Sequence, residues 1–223
     1  MSDYPPLALV TGASRGLGAA IAEHLAARGC HVIAVARTQG ALEELDDRIQ
    51  AAGGATTLAP MDVTKADAMQ HLCRGIHDRW GALPLWVHTA VHVPPLSPAD
   101  MADERDFAKS LATNVTALQR LIPYVSPLLQ AAARDRGKAR AVFFDDDRPV
   151  KFAGAYLATK AAQRALIAAW QAEATTEAAP DVHLMTPRPM PTAVRARFHP
   201  GEDRAALSDT RSEAARLMGE IGL

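Results

Sequence analysis

One pattern recurs along the chain: a short apolar run, a glycine or polar turn, then apolar residues three or four positions apart. Leu7 to Thr11 is the first such run, sized for a buried strand, and Gly12 to Gly18 follow it directly. Leu17, Ile21 and Leu25 then return at four-residue spacing, which puts them on one face of a helix that Gly29 can end. His31 to Ala36 predicts a second strand. Leu42, Leu45 and Ile49 mark a second helical stripe, broken at Gly53 and Gly54. Thr57 to Met61 lead extended chain to Asp62, and Thr64 with Asp67 predicts the start of the next helix.

The pattern continues through the second half. Leu83 to Ala90 predicts a fourth strand, followed by loop through Pro94, Pro95 and Pro98. Phe107, Leu111, Val115, Leu118 and Leu121 recur at helical spacing, and Pro123 is expected to kink that helix or to end it and begin another. Ala141 to Phe144 predicts a fifth strand, Tyr156 to Ala174 a long alanine-rich helix, and Val182 to Met185 a sixth strand. Pro187, Pro189 and Pro191 then force an irregular path. From Ala205 to Leu223 the pattern supports at most one or two short helices, with Ser212 as a candidate cap, and no strand. Strands alternating with helices predict an α/β fold with a doubly wound, mostly parallel sheet flanked by helices, in one domain over residues 1–223.

Composition narrows the function classes. With 223 residues, 48% of them hydrophobic, the chain can close one substantial core. Its 24 basic and 25 acidic residues leave a net charge of -1, without the broad positive field that holds a nucleic acid backbone. The longest apolar stretches are strand-sized, and Met1 to Pro6 lack the features of a signal peptide, so a cytoplasmic protein with no membrane segment is expected. Cys30 and Cys73 have neither CxxC spacing nor the neighbours of a zinc site; they read as core fillers, and no metal is expected.

The segment Thr11-Gly12-Ala13-Ser14-Arg15-Gly16-Leu17-Gly18 stands between the first strand and its helix. Glycines there permit a tight turn and let a pyrophosphate approach the N–H groups that open the helix. A glycine turn without a ligand is the competing reading, and the flanking strand and helix weigh against it. The spacing, TGxxxGxG, resembles the short-chain dehydrogenase/reductase family rather than the GxGxxG of other dinucleotide folds. Met61-Asp62-Val63 and Tyr156-Leu157-Ala158-Thr159-Lys160 extend the resemblance over about residues 7 to 195, and Asn114 falls where that family has its active-site asparagine.

That resemblance implies a Rossmann-type sheet and a set of cofactor contacts. Gly12, Ser14, Arg15, Gly16, Leu17 and Gly18 would hold the phosphates, Asp62 with Val63 the adenine, and Ala90, Thr192, Tyr156 and Lys160 the nicotinamide end. It also implies that Tyr156 gives a proton to a ketone oxygen, that Lys160 favours the phenolate and holds the nicotinamide ribose, and that Asn114 orders a route by which Lys160 regains a proton. The second strand ends at Ala36-Arg37, with no acid for two ribose hydroxyls, while Arg37 and Arg15 can embrace a 2'-phosphate. NADP(H) is therefore expected over NAD(H), although either arginine alone also reads as a solvated surface charge.

Several positions depart from the family. Between Val142 and Tyr156 there is no serine, and Asp145, Asp146 and Asp147 occupy the interval, which reads as a solvated acidic turn. Counting back thirteen residues from Tyr156 reaches Phe143, still within the strand, so the loop is shortened. His88-Thr89-Ala90-Val91 stands for Asn-Asn-Ala-Gly, with Val91 adding bulk and His88 reading as a structural hydrogen bonder. Pro187-Arg188 stands for Pro-Gly. The usual seventh strand is missing, which leaves the sixth as an edge for the tail or a partner to cover. Thr192-Ala193-Val194-Arg195-Ala196 resembles a bacterial YciK-like branch of the family.

Two functions follow. One is an NADP(H)-dependent oxidoreductase interconverting a small carbonyl and an alcohol; the other is a catalytically impaired relative that binds a dinucleotide or a protein. A methyltransferase would share the α/β core but leave the Tyr156 and Lys160 pair unexplained. Relatives commonly dimerise through the helix spanning Phe107 to Leu121 and the helix from Tyr156, so a homodimer is expected, with a tetramer also compatible.

Overall fold

Parallel strands cannot be joined by tight hairpins, so each apolar run must be followed by a crossover helix. The computed structural model, which describes residues 6–146 and 150–223, has this arrangement. In chain order it runs β1 (Leu7–Thr11), α1 (Gly16–Ala26), β2 (His31–Ala36), α2 (Gln39–Ala51), β3 (Ala55–Pro60), α3 (Ala66–Trp80) and β4 (Leu85–His88). Then follow α4 (Glu104–Leu111), a π-helical turn (Ala112–Thr116), α5 (Ala117–Arg136), β5 (Arg140–Phe144), α6 (Gly154–Glu173), β6 (Asp181–Met185), α7 (Ala193–Phe198) and α8 (Thr210–Glu220). The six strands form one parallel sheet in the order β3-β2-β1-β4-β5-β6. The order in which strands are added reverses between β1 and β4, the place where doubly wound sheets open a ligand crevice.

Alternation along each strand divides the core in two. Leu9, Ile33, Trp86, Ala141 and Phe143 face the layer of α3, α5 and α6, where Met69, Ile76, Leu118, Leu121 and Ile167 meet them. Ala8, Val10, Val32, Val87 and Val142 face α1, α2 and α8, against Ile21, Leu25, Leu42 and Leu217. Cys30 and Cys73 are both buried core members, and burial pushes their thiols up to about 12 and about 11. Among the described residues no helix is long and apolar enough to cross a membrane.

Four local expectations are corrected. Of the two outcomes expected at Pro123, the break is overturned, because α5 continues through Pro123 and Pro127; the departure from α hydrogen bonding lies upstream, at Ala112–Thr116. Each interior proline costs about 3 kcal/mol. Leu118, Leu121, Val125, Leu128 and Leu129 are all buried on that helix, at about 1.5 to 3 kcal/mol each, and outweigh the two prolines together. Ser212 is not the cap of α8: Asp209 is, accepting from Arg211 N and Ser212 N at 3.1 and 2.9 Å. Thr64 does not cap α3, whose N-cap is Lys65; its N–H and hydroxyl both donate to Asp62 Oδ1 at 2.9 Å. The fourth strand is shorter than expected, Leu85–His88.

The tail covers a face of the sheet, not its edge. Ala214, Leu217 and Met218 of α8 fill the layer beside α1, while β6 remains the terminal strand. Gln171 Nε2 donates to Val182 O of that strand at 2.8 Å.

Candidate active site

The crevice begins where β1 runs out. After Thr11 the chain turns sharply, with Gly12 at φ +87° and Gly16 at φ +57°, a region that L side chains seldom enter. A Cβ on Gly12 would lie 2.5 Å from Ala90 N, so the turn is packed directly on the end of β4. Thr89 fastens it there. Its hydroxyl reaches Thr11 O at 2.9 Å and Gly12 O at 3.2 Å, and its N–H donates to Thr11 O at 2.8 Å. The helix that follows has no side-chain cap, which leaves the amides of its first turn suited to an anion.

This turn forms one wall of a cavity of about 650 Å³, within the range of small-molecule and cofactor sites. Every sequence-predicted cofactor residue lines it: Gly12, Ser14, Arg15, Gly16, Leu17 and Gly18 from the turn, Arg37 after β2, Asp62 and Val63 after β3, Ala90 after β4, Tyr156 and Lys160 on α6, and Thr192 before α7. The side chains of Arg15 and Arg37 are both exposed. Thr192 caps α7 through Arg195 N at 3.2 Å, and a Cβ on Gly16 would meet its methyl at 3.5 Å, so the loop before α7 lies against the glycine turn. That loop is itself tied down: Arg188 N donates at 2.8 Å to Glu213, a nearly buried α8 carboxylate that Arg216 also pairs. The tail thus braces the cavity wall.

Tyr156 and Lys160 project from one face of α6, four residues apart. Tyr156 is buried with its ring 4.9 Å from that of Phe198, and its hydroxyl lies 3.5 Å from Asp146 Oδ2, to which it donates. Lys160 is 6% exposed; its ammonium donates to Phe144 O at 2.5 Å and to Gln163 Oε1. Burial lowers the amine to about 8, against the opposing pull of Asp145 and Asp146.

Asn114 does not line the cavity. It is fully buried in the π-helical turn, where Oδ1 accepts from His92 N at 2.7 Å and Nδ2 donates to His92 O and Thr159 Oγ1, both at 2.9 Å. Thr159 Oγ1 donates in turn to Tyr156 O at 2.8 Å, so Asn114 braces the segment after β4 against the helix that carries Tyr156. His88 is buried, with Nδ1 2.7 Å from Thr11 Oγ1; desolvation, then the Lys160 charge, hold it down to about 3, leaving a neutral structural ring.

The acidic run is not the solvated turn expected of it. Asp145 is 8% exposed, accepts from Asp146 N at 2.9 Å and pairs with Arg164 at 3.3 Å, while Asp146 faces Tyr156. Because β5 ends at Phe144, Asp145 and Asp146 follow directly at the strand end that faces α6, within reach of Arg164 and Tyr156. Asp147 lies outside the described residues. Sequence reasoning missed three participants, namely Thr89, Gln163 and Phe198. Only Gln163 carried a signal, being one helical turn beyond Lys160.

The chain and its fold are similar to those of known proteins. An uncharacterized oxidoreductase of Myxococcus xanthus is 38% identical over 130 residues, 58% of this chain and 50% of that protein. The chain spans half or less of the length of the curated relatives it matches. A metagenomic short-chain oxidoreductase in complex with NADP is 25% identical, with a TM-score of 0.78 over 95% of this chain and 88% of the other. An oxidoreductase of E. coli, yciK, shares the fold at 24% identity, with a TM-score of 0.82 over 92% and 84%. The sequence model of the short chain dehydrogenase family matches residues 6–203, from before the first strand to beyond the seventh helix, and the chain belongs to that family.

Proposed function

We propose that the chain is an NADP(H)-dependent oxidoreductase that interconverts a small carbonyl and an alcohol. The observation that carries this reading is one cavity holding both the uncapped start of α1 and the Tyr156 and Lys160 pair of α6. A bound nicotinamide dinucleotide would supply and accept the hydride. The first turn of α1 would receive its pyrophosphate, and Arg15 and Arg37 a 2'-phosphate, which favours NADP(H) over NAD(H). The NADP complex of the metagenomic relative supports the same choice. Tyr156 would give its phenolic proton to the carbonyl oxygen, Lys160 would ease that loss through its positive charge, and Asn114 would hold the Tyr156 helix in register with the segment after β4.

The test is a screen of small ketones and aldehydes with NADPH, run on the wild type and on Tyr156→Phe. Reduction of at least one carbonyl, lowered about a hundredfold or more in Tyr156→Phe with NADPH affinity preserved, is expected. Equal rates in the two proteins would remove Tyr156 from the chemistry.

A further inference from the structure

Lysine can hold a proton in a buried site only if acceptors replace the water it has lost. Among the described residues the ammonium of Lys160 has two: the Phe144 carbonyl that ends β5, and the side-chain oxygen of Gln163. Gln163 is itself only 4% exposed, and at three residues' distance along α6 it stands beside Lys160 on the same helix face. We propose that Gln163 is a positioning residue for Lys160, whose amide oxygen keeps the buried amine charged and directs it toward the cavity.

The other groups around the amine leave room for such a role. After β5, Asp145 and Asp146 both favour the charged form, but Asp145 is shared with Arg164 and Asp146 with the Tyr156 hydroxyl. Arg164 on α6 opposes the charge, and His88 on β4 is a neutral ring that contributes no compensating charge. Desolvation is the largest influence, and the amine stands at about 8, so its charge near neutral pH has little reserve. An amide oxygen can accept from the ammonium and gives the neutral amine no comparable bond. Its loss should therefore lower the titration midpoint by about one to two pH units, the equivalent of one hydrogen bond to a charged group.

The chain has five lysines, which makes the titration directly readable. Lysine labelled with 13C at Cε, in the full chain without cofactor, gives five resonances, and Lys160→Met identifies the one in question. The wild-type midpoint should lie near 8. Gln163→Met, similar in length but without the acceptor, should lower it by about one pH unit or more, and Gln163→Glu should raise it above the wild type. An unchanged midpoint in folded Gln163→Met would overturn the proposal. If that variant does not fold, Gln163→Glu decides alone, and a midpoint at or below the wild type overturns it. The consequence for proton transfer, an alkaline limb of reduction that moves with the midpoint, rests on the reductase reading. The titration does not, so failure to bind NADPH would refute that reading and leave this one standing.

Discussion

On the proposed reductase reading, replacing Asp146 with serine should raise the rate of ketone reduction. Its Oδ2 lies 3.5 Å from the Tyr156 hydroxyl. A ketone oxygen accepting from that hydroxyl would stand about 4 Å from the carboxylate. As the oxygen gains negative charge, two unit charges at that separation repel by about 1 kcal/mol in bulk water and about 4 kcal/mol at an effective dielectric of 20. Lys160 and Arg195 share the field of Asp146, so the lower half of that range applies. Serine would remove the repulsion and offer a donor instead. Asp146→Ser should accordingly raise kcat/KM for a ketone about ten- to a hundredfold. The assay follows NADPH oxidation at saturating cofactor over a panel of small ketones, beside the wild type. An unchanged or lower kcat/KM, with NADPH affinity and unfolding midpoint preserved, would refute the reasoning and give Asp146 a constructive role.

Two further outcomes are expected. Arg37→Ala should reduce the ratio of NADPH to NADH affinity by about tenfold to a hundredfold, the range for a hydrogen bond to a charged group, and calorimetric titration with both dinucleotides checks it. We also expect the chain to form homodimers through α4, α5 and α6, where Phe107 is 37% exposed; sedimentation showing a concentration-independent monomer mass would oppose this.

What could be read from the chain alone depended on whether local pattern or tertiary packing decided the outcome. Strands and helix faces were legible because a strand buried on both faces leaves a continuous apolar run and a helix face recurs every three to four residues, as with Leu7 to Thr11 and with Ile21 and Leu25. The glycine turn was legible because its conformation requires glycine at positions 12 and 16. Pro123 did not break its helix because a local breaker was outweighed by the burial of the helix face around it. The acidic run misled for a related reason: its charge reads as solvated until the fold brings Asp145 to Arg164 and Asp146 to Tyr156. Asn114 was found by its position, but its partners, His92 and Thr159, are set by the π-helical turn, which leaves no mark in hydrophobic periodicity.

The central claim is that the crevice between the glycine turn and the Tyr156 helix holds a dinucleotide, and titration of the full chain with NADPH by calorimetry tests it most directly. The account predicts saturable binding of one NADPH per chain with a Kd below about 1 mM, weaker for NADH. It also predicts that Gly18→Val abolishes binding, because its side chain would press on the Gly12 carbonyl and the Thr89 hydroxyl. No saturable binding of either dinucleotide to the folded wild-type protein, or undiminished binding to folded Gly18→Val, would contradict it.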